Sequence, residues 1–187
     1  MVEKTLKNRM RKKWGYKNID DIAINYDLQK IDEIINGYDD PVYGKSQGLN
    51  SLTKGKKVDF IVGGPPCQAY SLAGRVQDKN GMRDDYRNYL FESFVNLVNE
   101  YKPEAFIFEN VMGILSAKPG EILITERITK AFNKIGYSIS EDLRSDAVFD
   151  MSYYGIPQER KRVIIYGVKK TNKKKVAEFY KELKSYE

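Results

Sequence analysis

No histidine occurs in this 187-residue sequence, and there is a single cysteine. The missing histidine excludes Ser-His-Asp and Cys-His catalysis within the chain, together with any histidine-ligated metal. One thiol cannot build an intrachain disulfide framework. Without histidine it leaves no plausible zinc site, so no metal is expected. A reactive thiol suits a reducing compartment, and a cytoplasmic location is the expectation. No apolar run approaches the ~18 residues that span a membrane. The first residues are charged throughout and lack the apolar stretch of a signal peptide. Internal repeats and low-complexity segments are also missing.

What is present is ordinary for a soluble globular chain: 41% hydrophobic and 31% charged residues. The length allows one domain with a real core. The formal net charge is +6, with basic clusters at residues 7–13, 54–57 and 169–175. That balance is compatible with a polyanionic partner such as nucleic acid, and equally with solvated lysines on a surface.

Residues 1–18 read as a short helix ending near Gly15 or as loosely ordered chain. Ile22, Ile24 and Tyr26 alternate, which predicts a strand across 19–27. Leu28, Ile31, Ile34 and Ile35 have helical spacing that stops at Gly37. Residues 37–57, rich in Gly, Asp, Pro, Ser and Asn, read as loop. Residues 58–62 then form an apolar run that predicts a buried strand, followed by a polar loop reaching about residue 87. Leu90, Phe94, Leu97, Val98 and Tyr101 make one helical stripe, ended by Pro103. Residues 105–108 predict a second buried strand with Glu109 at its carboxyl end. A helix over 122–135, a strand within 138–149, a strand over 163–168 and a basic amphipathic helix after Lys169 complete the reading. Strands alternating with helices indicate an α/β layer structure.

The most informative residues are Val62-Gly63-Gly64-Pro65-Pro66-Cys67-Gln68-Ala69-Tyr70-Ser71. The glycines allow a tight turn at the end of a strand, and the prolines stiffen the backbone just before the thiol. A lone cysteine is often a buried structural residue. Here the flanking prolines and the polar tail favour a nucleophile held at the carboxyl end of a strand, where open α/β sheets bind ligands.

Gly63 to Ser71 resembles the catalytic-loop signature of the DNA (cytosine-5) methyltransferases. Glu109-Asn110-Val111 resembles that family's glutamate motif, and Gln158-Glu159-Arg160-Lys161-Arg162 its Gln-x-Arg-x-Arg motif. The three occur in the family's order over roughly residues 58–168. The resemblance implies part of a Rossmann-like, S-adenosylmethionine-dependent methyltransferase fold of α/β class, a mixed sheet with flanking helices. Residues 1–57 are then a basic segment with an incomplete cofactor half, 58–168 the catalytic core, and 169–187 a basic C-terminal helix.

The family's chemistry explains these residue types. C5 of cytosine is a poor nucleophile; a thiolate added at C6 makes C5 enamine-like and able to attack a sulfonium methyl group. The resemblance assigns Cys67 as that thiolate. Glu109 is implied as the carboxyl group that gives a proton or strong hydrogen bond to N3; otherwise it is a surface glutamate capping a helix. Arg160 and Arg162 offer planar donors for the cytosine O2, for a phosphate, or for Glu109 itself, with Arg162 nearest the base; the alternative is a pair of solvent-facing strand arginines. Pro66, Gln68, Ser71, Arg75, Arg87, Asn110 and Gln158 are implied on the substrate side, Gln158 mainly as a holder of its loop. Arg75, Lys79, Arg83 and Arg87 are natural phosphate contacts in a loop closing over a flipped base. Pro65 and Leu90 match positions that line the cofactor in relatives.

Other expected parts are missing. No Gly-x-Gly occurs in residues 1–57, where the family's glycine-rich methionine-end motif would lie. Asn25-Tyr26-Asp27 is only a weak candidate for the ribose-binding acid. The target-recognition domain is also missing. A fragment, a subunit of a split enzyme or a decayed gene product would each account for this, and a second polypeptide is the implied source of the missing parts. An RNA (tRNA) cytosine-5 methyltransferase is the alternative within the enzyme class, disfavoured by Ala69-Tyr70-Ser71. A non-catalytic nucleic-acid-binding or regulatory remnant is the alternative outside it.

Overall fold

The computed structural model describes residues 2–65, 90–119 and 121–187, and the chain divides into two compact units, 1–57 and 58–187. In the first unit, helix α1 (Val2–Trp14) places Arg11, Lys12 and Lys13 in its last turn, where the negative end of the helix dipole favours cations. The strand expected across 19–27 is instead a short helix, α2 (Ile19–Ile22). The spacing that mattered was Ile19 to Ala23: both are buried, and the Ala23 N–H donates to the Ile19 carbonyl. Ile22 stays exposed, and Tyr26 stacks on Tyr38 at 3.8 Å rather than joining a sheet. Helix α3 (Ile31–Asn36) buries Ile31, Ile34 and Ile35 and stops at Gly37.

Residues 37–57 are not simply loop. Strands β1 (Tyr38–Asp40) and β2 (Gly44–Ser46) form an antiparallel hairpin, and helix α4 (Gly48–Thr53) follows. Asp40 Oδ1 accepts the N–H groups of Val42 and Tyr43 and so organises the hairpin turn. Gly48 is required twice over: its φ is +79°, and a Cβ there would lie 2.3 Å from the Gly37 nitrogen. Strands this short carry no apolar alternation for a sequence reading to find.

In the second unit, strand β3 (Phe60–Gly63) pairs in parallel with β4 (Ala105–Val111). Helix α5 (Leu90–Tyr101) lies between them in the chain. Helix α6 (Ile124–Lys134), strand β5 (Tyr137–Ser138), helix α7 (Leu143–Asp146) and strand β6 (Val148–Asp150) come next. Strand β7 (Lys161–Lys169) runs antiparallel to β4 and carries β5 and β6 along its other side. The sheet order is β3-β4-β7-β5, with β6 also on β7. This is the mixed α/β architecture expected, with antiparallel pairing toward the carboxyl end.

Helices α5 and α6 cover one face of the sheet. Phe94 packs edge-on against Phe106 and Phe108, and Phe106 stacks on Phe132 at 4.2 Å. Helix α8 (Lys174–Lys184) covers the other face over β7, where Phe179 stacks on Tyr166 at 4.1 Å. The buried Tyr180 hydroxyl donates to the Ile164 carbonyl and accepts the Tyr166 N–H, filling a gap in the ladder between β5 and β6.

Two expectations for the sheet need correction. Strand β3 is not buried on both sides: Phe60 is 47% and Val62 65% exposed, because among the described residues β3 is an edge strand whose second face no helix covers. Strand β4 runs on through Val111, so Glu109 lies inside the strand rather than beyond it. Among the described residues, no helix is long and apolar enough to cross a membrane, and no cluster of His, Cys, Asp and Glu has the makings of a metal site.

Candidate active site

The register of β4 and β7 sets Val111 opposite Arg162. Glu109, two residues back along β4, projects from the same face, since side chains alternate along a strand. Arg162 Nε lies 2.8 Å from Glu109 Oε1, a charge-assisted hydrogen bond. The arginine side chain is 18% exposed and the glutamate 44%, so the pair is shielded on the arginine side and open on the carboxylate side. A second arginine donor, Nη1, goes to the Lys161 carbonyl and fixes the guanidinium plane. Of the three partners open to these arginines from sequence, the one made by Arg162 is Glu109.

Strand β3 brings the glycine pair to the same place. Gly63 pairs with Phe108, which sets Gly64 beside Glu109. A Cβ on Gly64 would come within 2.8 Å of Glu109 Oε2, and one on Gly63 would come within 2.6 Å of the Phe94 ring. Neither residue has a positive φ. The glycines are therefore needed for close approach, of a carboxylate in one case and a packed ring in the other, and not for turn geometry. Sequence reasoning missed this seat for Glu109; the glycine doublet was its only signal.

Asn110 points the opposite way from Glu109 and is 2% exposed. Its Oδ1 accepts the Val111 N–H, and its Nδ2 donates to the Pro65 carbonyl at 3.4 Å. That amide is spent on the protein's own backbone, tying the end of β3 to β4. Arg160 and Gln158 are exposed and precede β7. The Arg160 carbonyl accepts the Met151 N–H, and the Gln158 N–H donates to the Ile156 carbonyl. Cys67, Pro66, Gln68, Ser71, Arg75, Lys79, Arg83 and Arg87 lie outside the described residues.

The described residues do not make a site for S-adenosylmethionine. Pro65 is buried with its carbonyl engaged by Asn110, and Leu90, the first residue of α5, is 6% exposed. Neither presents an open wall. A cofactor also needs a glycine-lined strand end to approach, and no Gly-x-Gly occurs in residues 1–57.

A model of the family described as C-5 cytosine-specific DNA methylase matches residues 3–187. The Type II methyltransferase M.Bpa9945I of Bacillus paralicheniformis is 44% identical over 146 residues, covering 72% of this chain and 32% of that protein. The orphan methyltransferase M.SPRI of Bacillus phage SPR is 30% identical over 159 residues, 83% of this chain and 32% of the relative. A solved E. coli structure, of a prophage-encoded protein described as a DNA modification methyltransferase, superposes with a TM-score of 0.52 at 27% identity, over 78% of this chain and 33% of that one. The chain therefore spans about a third of the length of these relatives. With the match running from one end of the sequence to the other, the chain belongs to the C-5 cytosine-specific DNA methylase family.

Proposed function

We propose that this chain carries the covalent-catalysis centre of a DNA (cytosine-5) methyltransferase of restriction-modification type, and that it depends on further polypeptide for its methyl donor. One observation carries the reading: the Glu109 carboxylate, held by Arg162, sits against Gly64. Cys67 lies outside the described residues, and its partnership with Glu109 is what the family resemblance implies.

In the proposed reaction a cytosine flipped out of the duplex enters beside Glu109, since a stacked base offers its C6 to no thiol. The Cys67 thiolate forms a bond to C6. The C5–C6 π pair shifts toward C4, and the C4–N3 pair moves onto N3, which takes a proton from Glu109, this group entering the step as the neutral acid with a proton drawn from water. The product is an enamine with nucleophilic C5. Arg162 acts as a positioning residue that aims the carboxyl. Asn110 holds the Pro65 end of β3 in register. Arg160, exposed ahead of β7, is assigned with Arg75 and Arg87 to the nucleic-acid side. Pro66, Gln68, Ser71 and Gln158 keep the substrate-side roles that the family resemblance implies. S-adenosylmethionine would supply the methyl group, and the described residues do not build its site. The relatives named as Type II methyltransferases support a DNA substrate.

The addition step is testable without a methyl donor. DNA containing 5-azacytosine accepts a thiolate at C6 and a proton at N5, leaving a stable adduct. The expected result is a covalent protein–DNA band with the wild-type chain, lost in Cys67→Ser and weakened in Glu109→Gln. Trapping on azacytosine-containing tRNA but not DNA would move the reading to an RNA enzyme. A Cys67→Ser chain that keeps its biological effect would favour a non-catalytic role.

A further inference from the structure

Three stretches of chain meet at the end of the sheet opposite the candidate active site. The Lys170 N–H donates to the Gly136 carbonyl, the Lys169 N–H to the Glu104 carbonyl, and the Tyr137 hydroxyl to the Pro103 carbonyl. These bonds draw residues 102–104, 134–137 and 169–175 together. With them come the exposed side chains of Lys102, Lys134, Lys170, Lys174 and Lys175. None of the five has an ion-pair partner among the described residues, whereas Lys169 pairs with Glu104 and Lys173 with Glu141, each at 2.9 Å. Glu100 and Glu178, in the adjoining turns of α5 and α8, still leave the cluster net positive.

Helix stability is sacrificed at the same place. Helix α8 starts at Lys174 behind Lys173, with no side-chain capping bond and no acid in its first turn. Cations there oppose the helix dipole, and a Ser, Asp or Asn cap is forgone. Lysines that weaken their own helix and pair with nothing in the chain hold a positive field toward solvent. An open groove of about 740 Å³ lies against them, lined by residues 170–175, Ala177 and a single acid, Glu178.

We propose that this basic end is a second DNA-binding surface, one that holds the phosphate backbone of duplex lying away from the reacting base. The inference rests on the DNA substrate proposed above. Topology separates the surface from the chemistry. Ile164 is the partner of Glu109, and β7 runs on from there to Lys169, so the cluster begins about 17 Å from the glutamate. Lysines meet phosphates as point charges and lack the planar fork that reads base edges. The surface therefore adds affinity and retention without sequence preference.

The test follows binding of the full chain to duplex DNA by fluorescence anisotropy across a salt series. With Lys170→Gln, Lys174→Gln and Lys175→Gln combined, the slope of log affinity against log salt should be shallower by about 2–3, since each lost phosphate contact removes about 0.9. The pair Lys102→Gln and Lys134→Gln should make it shallower by about 1–2. The triple variant should melt no lower than wild type, because its helix start loses cations. A control that removes equal charge elsewhere, Lys17→Gln with Lys56→Gln and Lys130→Gln, should stay within about 0.5 of the wild-type slope. At saturating DNA the azacytosine trapping rate should be unchanged in the triple variant, while half-maximal trapping needs at least about fivefold more DNA. An unchanged slope in the triple variant overturns the inference, and so does an equal fall in the control. A slope change seen with tRNA and absent with duplex DNA also overturns it. A wild-type chain that traps no azacytosine DNA while the slopes differ as expected overturns the proposed chemistry and leaves the surface standing.

Discussion

Gly64 and Glu109 make a close contact in the candidate site. A methyl group on Gly64 would meet Oε2 at 2.8 Å, so the carboxylate must move while its bond to Arg162 pulls it back. Gly64→Ala is therefore expected to slow azacytosine trapping by about 10- to 100-fold, the cost of misplacing a reacting group by a fraction of an ångström to an ångström. Gly64 is exposed and has no positive φ, so the melting temperature should barely change. An unaltered trapping rate would mean that the Glu109 position does not govern the addition. Arg162→Lys belongs beside it. Lysine keeps the charge but lacks the planar fork that serves Glu109 and the Lys161 carbonyl together. It should lower the trapping rate more than it lowers DNA affinity; equal losses in both would assign Arg162 to phosphate binding instead.

Among the elements, β7 bears most on the fold, because β4, β5 and β6 all pair with it. Gly167 lies where its inner face meets the Phe106 ring, and a Cβ there would come within 2.1 Å of that ring. The ring is stacked on Phe132 and has nowhere to go. Gly167→Ala should destabilise the second unit by about 1–3 kcal/mol or more, as overpacking of a dense core does. Urea unfolding monitored by circular dichroism checks this, and an unchanged midpoint would show that the core relaxes freely. Which ring Gly167 faces depends on β4 lying alongside.

Taken whole, the molecule has an alkaline limit built into its tyrosines. Burial, helped by the charge of Glu104, pushes the Tyr137 hydroxyl up to about 12. Burial pushes Tyr154 up to about 12 as well, aided by its hydrogen bond to Glu187, and pushes Tyr180 higher still. The folded chain thus keeps protons that the unfolded chain releases near pH ~10. The associated stability is complete below about pH 10 and is lost as pH rises through the folded-state values, since the native state then binds more protons than the unfolded one. Urea midpoints should fall steadily from about pH 10 upward. Tyr180→Phe should start lower at neutral pH, having lost its bonds to Ile164 and Tyr166, and then decline less steeply. A parallel decline would remove Tyr180 from this account.

The α/β class, the family and the motifs around residues 63, 109 and 162 were legible in the chain, because long apolar runs and rigid Gly-Pro segments carry local information that packing does not erase. The first unit was less legible. Its hairpin strands are three residues each, and the helix at Ile19 hid behind an alternation that burial ignored. The edge position of β3 was also invisible, since an apolar run reads as buried whether or not another strand covers it. The pairing of Glu109 with Arg162, and the seat that Gly64 leaves for the carboxylate, needed three strands laid in one register. Residues 64, 109 and 162 are far apart in sequence, and only hydrogen-bonded pairing between strands sets which side chains share a face.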